Sequence, residues 1–125
     1  MRKPHPTLTP QELAIMKVVW KKDETTVRDV YETLRESRPI AYTTVMTMMR
    51  ILQEKGYLTR ATTDRAHVYQ AAKPRQQVVG AMVRDFLDRV FDGAPDRLLL
   101  HLAKDNALTD KQKRLVKQLI EEIDE

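Results

Sequence analysis

The sequence predicts a mainly α-helical chain with one small β-hairpin, organised as a domain over residues 1–73 and a helical segment over 74–125. Apolar residues recur every three or four positions through most of the chain, which is the spacing of helices that bury one face. The stretch from Tyr57 to Gln70 is instead rich in β-branched and aromatic residues around a polar tetrapeptide, which favours two strands and a turn. Lys73-Pro74 follows this stretch and marks the boundary.

The first two helices begin at capping sequences. Thr9-Pro10-Gln11-Glu12 is a capping box with proline at the first helical position, so a helix begins here and continues to Lys21-Lys22. Thr26 suits the N-cap of a second helix, whose apolar residues again fall on one face. Arg38-Pro39 ends this helix, because the residue before a proline is pushed out of the helical region.

A third helix is predicted from Ala41 to Lys55, before Gly56, which suits the position after a helix end. One face of this helix is apolar, and hydroxyl groups and an arginine point the other way. The inward residues are Val45, Met48, Met49 and Leu52, and the outward residues are Thr43, Thr47, Arg50 and Glu54. After Gly56, the two predicted strands flank a turn at Thr63–Ala66.

Three helices followed by a hairpin is the order of a winged helix-turn-helix domain, in which the third helix enters the major groove of DNA. Threonine hydroxyls can bind phosphates or base edges, and an arginine can donate two hydrogen bonds to guanine. The hairpin supplies cationic side chains for the phosphates or the minor groove. The candidate DNA-binding residues are Thr43, Thr44, Thr47 and Arg50 on the helix, and Arg60, Arg65 and His67 on the wing.

The segment after Pro74 is predicted to form three helices. The first ends at Asp92-Gly93-Ala94-Pro95, the second is leucine-rich, and the third begins at the capping box Thr109-Asp110-Lys111-Gln112. About 50 residues are too few to bury three apolar faces by themselves. We therefore expect these faces to pack against a second copy in a homodimer, through Phe86, Val90, Phe91, Leu98, Leu99, Leu102, Leu115, Leu119 and Ile123.

The composition excludes several kinds of chemistry. The chain has no cysteine, which removes disulfides, thiolate nucleophiles and cysteine-based zinc sites. Its one serine, Ser37, does not lie in a glycine-rich nucleophile turn. The three histidines, His5, His67 and His101, belong to different predicted elements, so we expect no metal site. The sequence predicts neither an enzyme nor a bound cofactor.

Hydropathy predicts a cytoplasmic location without a membrane partner. The longest uninterrupted apolar stretch, Val78–Val83, is too short to span a bilayer. The basic start of the chain is not followed by the apolar run that a signal peptide needs.

The charge distribution points to a polyanionic partner. Residues 1–72 contain 12 Lys and Arg against 8 Asp and Glu, whereas residues 73–125 contain 10 of each. The whole excess of four positive charges therefore lies in the predicted winged-helix domain, which favours double-stranded DNA as the partner. The alternative is an adaptor whose winged helix binds a protein, because a fold alone does not fix a function.

Four short motifs follow one another in the first 70 residues: Leu8-Thr9…Glu12-Leu13…Met16…Trp20, Ala41-Tyr42-Thr43-Thr44-Val45 with Thr47, Lys55-Gly56-Tyr57-Leu58, and Arg65-Ala66-His67-Val68-Tyr69. In this order they resemble the BlaI/MecI penicillinase-repressor family, closely in the first half and more loosely in the C-terminal helices. Members of that family are homodimeric repressors of palindromic operators. The resemblance implies that four residues of the third helix lie at the DNA, namely Thr43, Thr44, Thr47 and Arg50. It also implies that Tyr42 supports the start of the reading helix or contacts a phosphate.

The sequence departs from that family at two points. Copper-responsive relatives carry a Cys-x-Cys motif, which a chain without cysteine excludes. Antibiotic-responsive relatives are inactivated by a regulatory protease at an Asn-Phe bond, where this sequence has His101-Leu102. The resemblance implies a protease as a further partner, and the substitution leaves cleavage at this bond an open question.

Overall fold

The computed structural model describes residues 8–62 and 67–123, without the side chains of Thr62 and Ile123. These residues form helices α1 (Pro10–Lys22), α2 (Val27–Arg35), α3 (Tyr42–Glu54), α4 (Arg75–Phe91), α5 (Pro95–Lys104) and α6 (Asp110–Ile123). The strands are β1 (Glu24–Thr25), β2 (Leu58–Thr62) and β3 (His67–Ala71). The chain divides into two compact units, one ending at Met82 and the other beginning at Val83. The predicted mainly helical fold with a small hairpin is confirmed.

The helix caps are those that the sequence predicts. The Thr9 hydroxyl accepts a hydrogen bond from the Glu12 amide at 3.2 Å, and the Glu12 carboxylate accepts one from the Thr9 amide at 2.8 Å. Thr109 and Gln112 form the same reciprocal pair at 3.1 and 2.9 Å. Thr26 caps α2 by accepting a hydrogen bond from the Asp29 amide at 3.1 Å. Each cap satisfies backbone donors that the first turn of a helix leaves unpaired.

The sheet of the first unit contains a strand that the sequence does not predict. The strand order is β1-β3-β2, and both neighbouring pairs are antiparallel. In β1, Glu24 pairs with Gln70 and Thr25 pairs with Tyr69, so the turn after α1 is joined to the base of the hairpin. A strand of two residues is too short to show an alternating pattern, and only the hairpin could be predicted. The predicted turn at Thr63–Ala66 lies outside the described residues.

The core of the first unit lies between α1, α2, α3 and the sheet, and it includes Val78 on α4. The beginning of α4 therefore packs within the first unit. The buried apolar residues are Leu8, Ile15, Met16, Val18, Val19, Val30, Leu34, Val45, Met49, Leu52, Tyr57, Leu58, Tyr69 and Val78. Within the predicted inward face of α3, Val45, Met49 and Leu52 are fully buried and Met48 is half-buried.

A buried ion pair joins the start of α1 to the end of α3. The Lys55 ammonium donates to both carboxylate oxygens of Glu12, at 3.1 and 2.9 Å, and Glu12 is 3% exposed. Burial works to raise the pKa of Glu12, but the hydrogen bonds from Lys55 and Thr9 outweigh it, and the pKa lies below its ordinary value of 4.5. The same carboxylate thus caps α1 and holds the C-terminal end of α3.

The second unit has no buried side chain among residues 83–122. Its helices are separated by two short connections, in which Asp92 and Gly93 and then Asn106 adopt positive φ angles. Phe86 and Phe91 meet edge to face with ring centroids 5.8 Å apart. Across residues 8–62 and 67–123, no helix combines the length and the apolar character needed to cross a bilayer.

Candidate nucleic-acid interface

Helix α3 exposes a polar face opposite the core. Thr43, Thr47, Arg50 and Glu54 are all exposed, as the helical spacing predicts, and Thr44 is exposed beside them. Thr43, Thr47 and Arg50 lie one helical turn apart in succession, so they present hydroxyls and a guanidinium along one line. Such a face supplies the donors and acceptors that phosphates and base edges require.

A groove of about 610 Å³ runs between α3, the start of α2 and the two hairpin strands. Arg28 of α2, Arg50 of α3 and Arg60 of β2 line the groove, and the described lining residues include no Asp or Glu. The groove is lined by Thr26, Val27, Arg28, Tyr42, Met46, Arg50, Arg60, His67 and Tyr69. Cations from three elements give this groove a positive charge that would attract a polyanion.

The structure adds Arg28 to the residues that sequence reasoning identifies. The Arg28 guanidinium lies 5.5 Å from the centroid of the Tyr42 ring, and Tyr42 meets Tyr31 edge to face at 5.5 Å. Glu32 lies 3.6 Å from the same guanidinium. The stack on Tyr42 restricts a long side chain that is otherwise 70% exposed, so less rotamer freedom is lost when it binds a ligand.

Arg35 has similar local partners in a different place. Its guanidinium lies 5.7 Å from the centroid of the Tyr31 ring and pairs with Glu32 at 3.3 Å. It does not line the groove. Arg28 and Arg35 therefore share a helix, an acidic neighbour and a tyrosine stack, and they differ in access to the groove.

The predicted DNA-binding residues are only partly brought together. Tyr42, Arg50, Arg60 and His67 meet in the groove, whereas Thr43, Thr44 and Thr47 lie on the adjoining exposed surface of α3. Arg65 lies outside the described residues. Met46, 38% exposed, is a lining residue that its apolar character gave no reason to select. The contacts of these residues with DNA stay predictions.

The predicted dimerisation residues lie on helices that bury little. Phe86, Val90, Leu115 and Leu119 are 40–53% exposed. The half-buried residues are Phe91, Leu98, Leu99 and Leu102, and the side chain of Ile123 lies outside the described residues. Val83, Leu100 and Ile120 add further exposed apolar surface that the predicted set does not include. For metals, the described part of the chain holds no cluster of three His, Asp or Glu side chains suited to a metal ion.

Comparison with known proteins identifies the family. The model of the penicillinase repressor family matches residues 8–122. A transcriptional regulator BlaI from Mycobacterium tuberculosis is 36% identical over 95 residues, which cover 74% of this chain and 69% of that protein.

Two solved structures resemble the first part of the chain. The solution structure of the DNA-binding domain of the repressor BlaI has a TM-score of 0.52 and 28% identity, over 59% of this chain and 90% of that domain. Bacillus licheniformis BlaI, solved as a monomeric form in complex with the blaP half-operator, has a TM-score of 0.50 and 28% identity, over 61% and 92% of the two chains. The match over residues 8–122 shows that this chain belongs to the penicillinase repressor family, so it is a winged-helix transcriptional repressor and not an enzyme.

Proposed function

We propose that the protein acts in the cytoplasm as a homodimer that binds a palindromic DNA operator and thereby represses transcription. In each subunit, α3 enters the major groove and the hairpin contacts the neighbouring backbone or minor groove. The observation that carries the proposal is the groove in which Arg28, Arg50 and Arg60 converge beside the exposed threonines of α3. The solved complex of the B. licheniformis relative with a half-operator supports the same use of this unit.

The geometry favours separate contacts for the DNA backbone and for the base edges within this surface. The groove between α3 and the hairpin suits one strand of the sugar-phosphate backbone, because the lining residues that the structure describes include three arginines and no Asp or Glu. Thr43 and Thr47 lie outside the groove on the face of α3 that points away from the core, where base edges would be reached. Arg50 lines the groove and also lies on the exposed face of α3, so it can contact either a phosphate or a base edge.

The second unit supports the proposed dimer. Isolated apolar side chains are common on protein surfaces, but here all three helices expose them and none of residues 83–122 is buried. Packing against a second copy would remove these faces from water. A dimer with two-fold symmetry presents two α3 helices in opposite orientations, which is why the operator is expected to be palindromic.

The proposal predicts specific and strongly salt-dependent binding. We expect a palindromic duplex selected from a random library to bind far more tightly than a scrambled duplex of equal length. Its affinity should fall with a slope of about −0.9 in log K against log salt for each phosphate contacted. Titration of both duplexes at several salt concentrations measures the two quantities. Equal affinity for the two duplexes would refute operator binding and favour the adaptor alternative.

Arg28 is expected to be a phosphate contact. Arg28→Ala should weaken binding to operator and scrambled duplexes alike. Because the proposed dimer loses one contact in each subunit, the salt slope should become shallower by two contacts, which is about 1.8. Arg35→Ala is the matched control, because it removes a tyrosine-stacked arginine paired with Glu32 outside the groove. Equal losses in the two variants would mean that general charge, and not the groove, is responsible.

We also propose that a regulatory protease relieves repression by cutting the second unit, which would convert a bivalent binder into two weak monovalent ones. The His101-Leu102 bond lies within α5, and His101 Nε2 is 2.9 Å from Asp105 Oδ2. The backbone from Asp105 to Leu108 is not helical and includes the positive φ of Asn106. Because proteases need an unfolded segment, this connection is the better substrate.

Limited proteolysis is therefore expected to cut near residues 103–108 and to release the operator. Mass spectrometry of the fragments locates the cut, and a mobility shift on the same sample reports the loss of DNA. A first cut at His101-Leu102 would contradict this expectation and would mean that the family's cleavage position tolerates the substitution.

A further inference from the structure

A second concave site lies on the first unit, away from the residues that line the DNA groove. It has a volume of about 470 Å³ and is lined by Lys17, Trp20 and Lys21 of α1 together with Pro74 and Arg75 at the start of α4. This volume falls within the range of roughly 300–1,000 Å³ that is typical of small-molecule sites. The proposed operator contacts leave this site unused.

Two features of the charges around this site are unfavourable for the isolated protein, although Lys21 itself lies in the last turn of α1, where a cation suits the helix dipole. Lys17 and Lys21 are separated by one helical turn on α1, where like charges repel each other. Arg75 opens α4, and the positive end of the helix dipole disfavours a cation there. Within the described residues none of these three cations forms an ion pair, whereas Arg89 and Arg97 pair with Asp85 and Asp92.

Such a conflict is expected where a protein binds a ligand of the opposite charge. Local electrostatic rules are broken mainly at functional sites, because the compensating group belongs to the ligand. Here a bound anion would relieve both the repulsion on α1 and the unfavourable position of Arg75.

Trp20 provides the apolar part of the site. Its indole N–H donates to the Lys73 carbonyl oxygen at 3.0 Å, which fixes the ring against the segment that leads into α4. The ring is half-buried and packs against the core of the first unit, and it also lines the site. An aromatic surface among three cations suits a ligand that combines a flat ring with a negative charge.

We propose that this site binds a small organic anion, with its carboxylate among Lys17, Lys21 and Arg75 and its ring against Trp20. The ligand class follows from the two halves of the site: cations for the carboxylate and an indole for the ring. The site also lies where α4 begins, and α4 continues past Met82 into the second unit. An anion held here is bound at the base of the helix that connects the two units.

Intrinsic fluorescence tests the proposal, because Trp20 is the only tryptophan in the chain. Benzoate is the probe, benzamide is its uncharged counterpart, and acetate carries the charge without the ring. We expect benzoate to change the emission of the full-length protein with a saturable curve at constant ionic strength. Benzamide and acetate should bind at least about tenfold more weakly, since each lacks one of the two interactions.

Substitutions test whether benzoate binding depends on the cations that line the site or only on the overall charge of the protein. Lys17→Gln and Arg75→Gln should each weaken benzoate binding by about threefold to tenfold, because each removes one charged partner. Lys22→Gln is the control, since it removes a neighbouring charge on α1 that does not line the site. The proposal is overturned if benzoate and benzamide bind equally, if no saturable change occurs, or if Lys22→Gln matches the other variants.

DNA is the remaining candidate for this site. Lys17→Gln and Arg75→Gln could weaken operator binding while benzoate leaves the emission of Trp20 unchanged. In that case the site is a DNA contact and the small-anion proposal fails. The fluorescence titration itself contains no DNA, so its outcome is independent of the proposed operator binding.

Discussion

Leu119→Asp is expected to convert the proposed dimer into monomers and to weaken operator binding by about 100-fold or more. Leu119 is 48% exposed on α6, so the substitution causes no clash within a subunit. In a dimer it would bury an unpaired carboxylate, which is strongly unfavourable. Two joined DNA-binding units gain an effective concentration that single units lack, and its loss explains the size of the effect. Sedimentation velocity and operator titration measure the two changes.

Gln118→Asp is the matched control for this variant. It introduces the same charge at the preceding residue of α6, where the side chain is polar and exposed. We expect it to remain dimeric, and Phe86→Asp on α4 to behave like Leu119→Asp. A fragment for comparison should end at Met82 rather than at Lys73, because Val78 is part of the core of the first unit. If that fragment is dimeric, the interface lies in the first unit and the proposed dimer is wrong.

The second large effect is expected for Lys55→Met, which should lower the free energy of unfolding by about 3 kcal/mol. The substitution leaves the Glu12 carboxylate buried at the junction of α1 and α3 without its cation. Glu12→Gln should cost only about 1 kcal/mol, because glutamine can still complete the capping box and Lys55 can reach water. The second capping box already uses a glutamine, Gln112, at the equivalent position. Urea unfolding of both variants measures the difference.

This ion pair also predicts a dependence on pH. The pKa of Glu12 is lowered in the folded protein, so the unfolded chain takes up this proton at a higher pH than the folded one. The stability that the pair provides is therefore present above the ordinary value of 4.5 and is lost as the pH falls through the folded pKa. We expect the difference in unfolding free energy between the protein and Lys55→Met to become smaller as the pH falls through the folded pKa of Glu12. If this difference in unfolding free energy stays constant at acidic pH, the charge of Glu12 contributes nothing to the stability of the fold.

Local sequence signals predict much of this fold, and contacts between distant segments account for what they miss. The capping boxes at Thr9 and Thr109 can be read directly, because both partners lie within four residues of each other. The pairing of Glu12 with Lys55 spans 43 residues, and neither residue type suggests the other. The strand β1 escapes prediction because Glu24 and Thr25 extend only when β3 lies beside them.

The same distinction applies to the candidate DNA site. Thr43, Thr47 and Arg50 can be predicted from the spacing of one helix, because the position of its apolar face determines which residues point outward. Arg28 cannot be found in this way, since its location in the groove depends on packing of α2 beside α3 and on the stack with Tyr42. The site at Trp20 likewise combines two helices that are far apart in the sequence.

The lack of buried side chains in residues 83–122 also has an expected consequence for the lifetime of the protein in the cell. A segment that buries little opens often, and proteases degrade a protein in proportion to the population of such open forms. A partner that binds only the closed form suppresses opening, and it does so more strongly as its concentration rises. If the second copy in the proposed dimer is that partner, newly made chains are expected to be degraded quickly while they are scarce and slowly once they are abundant. The cellular level of the repressor would then feed back on its own lifetime.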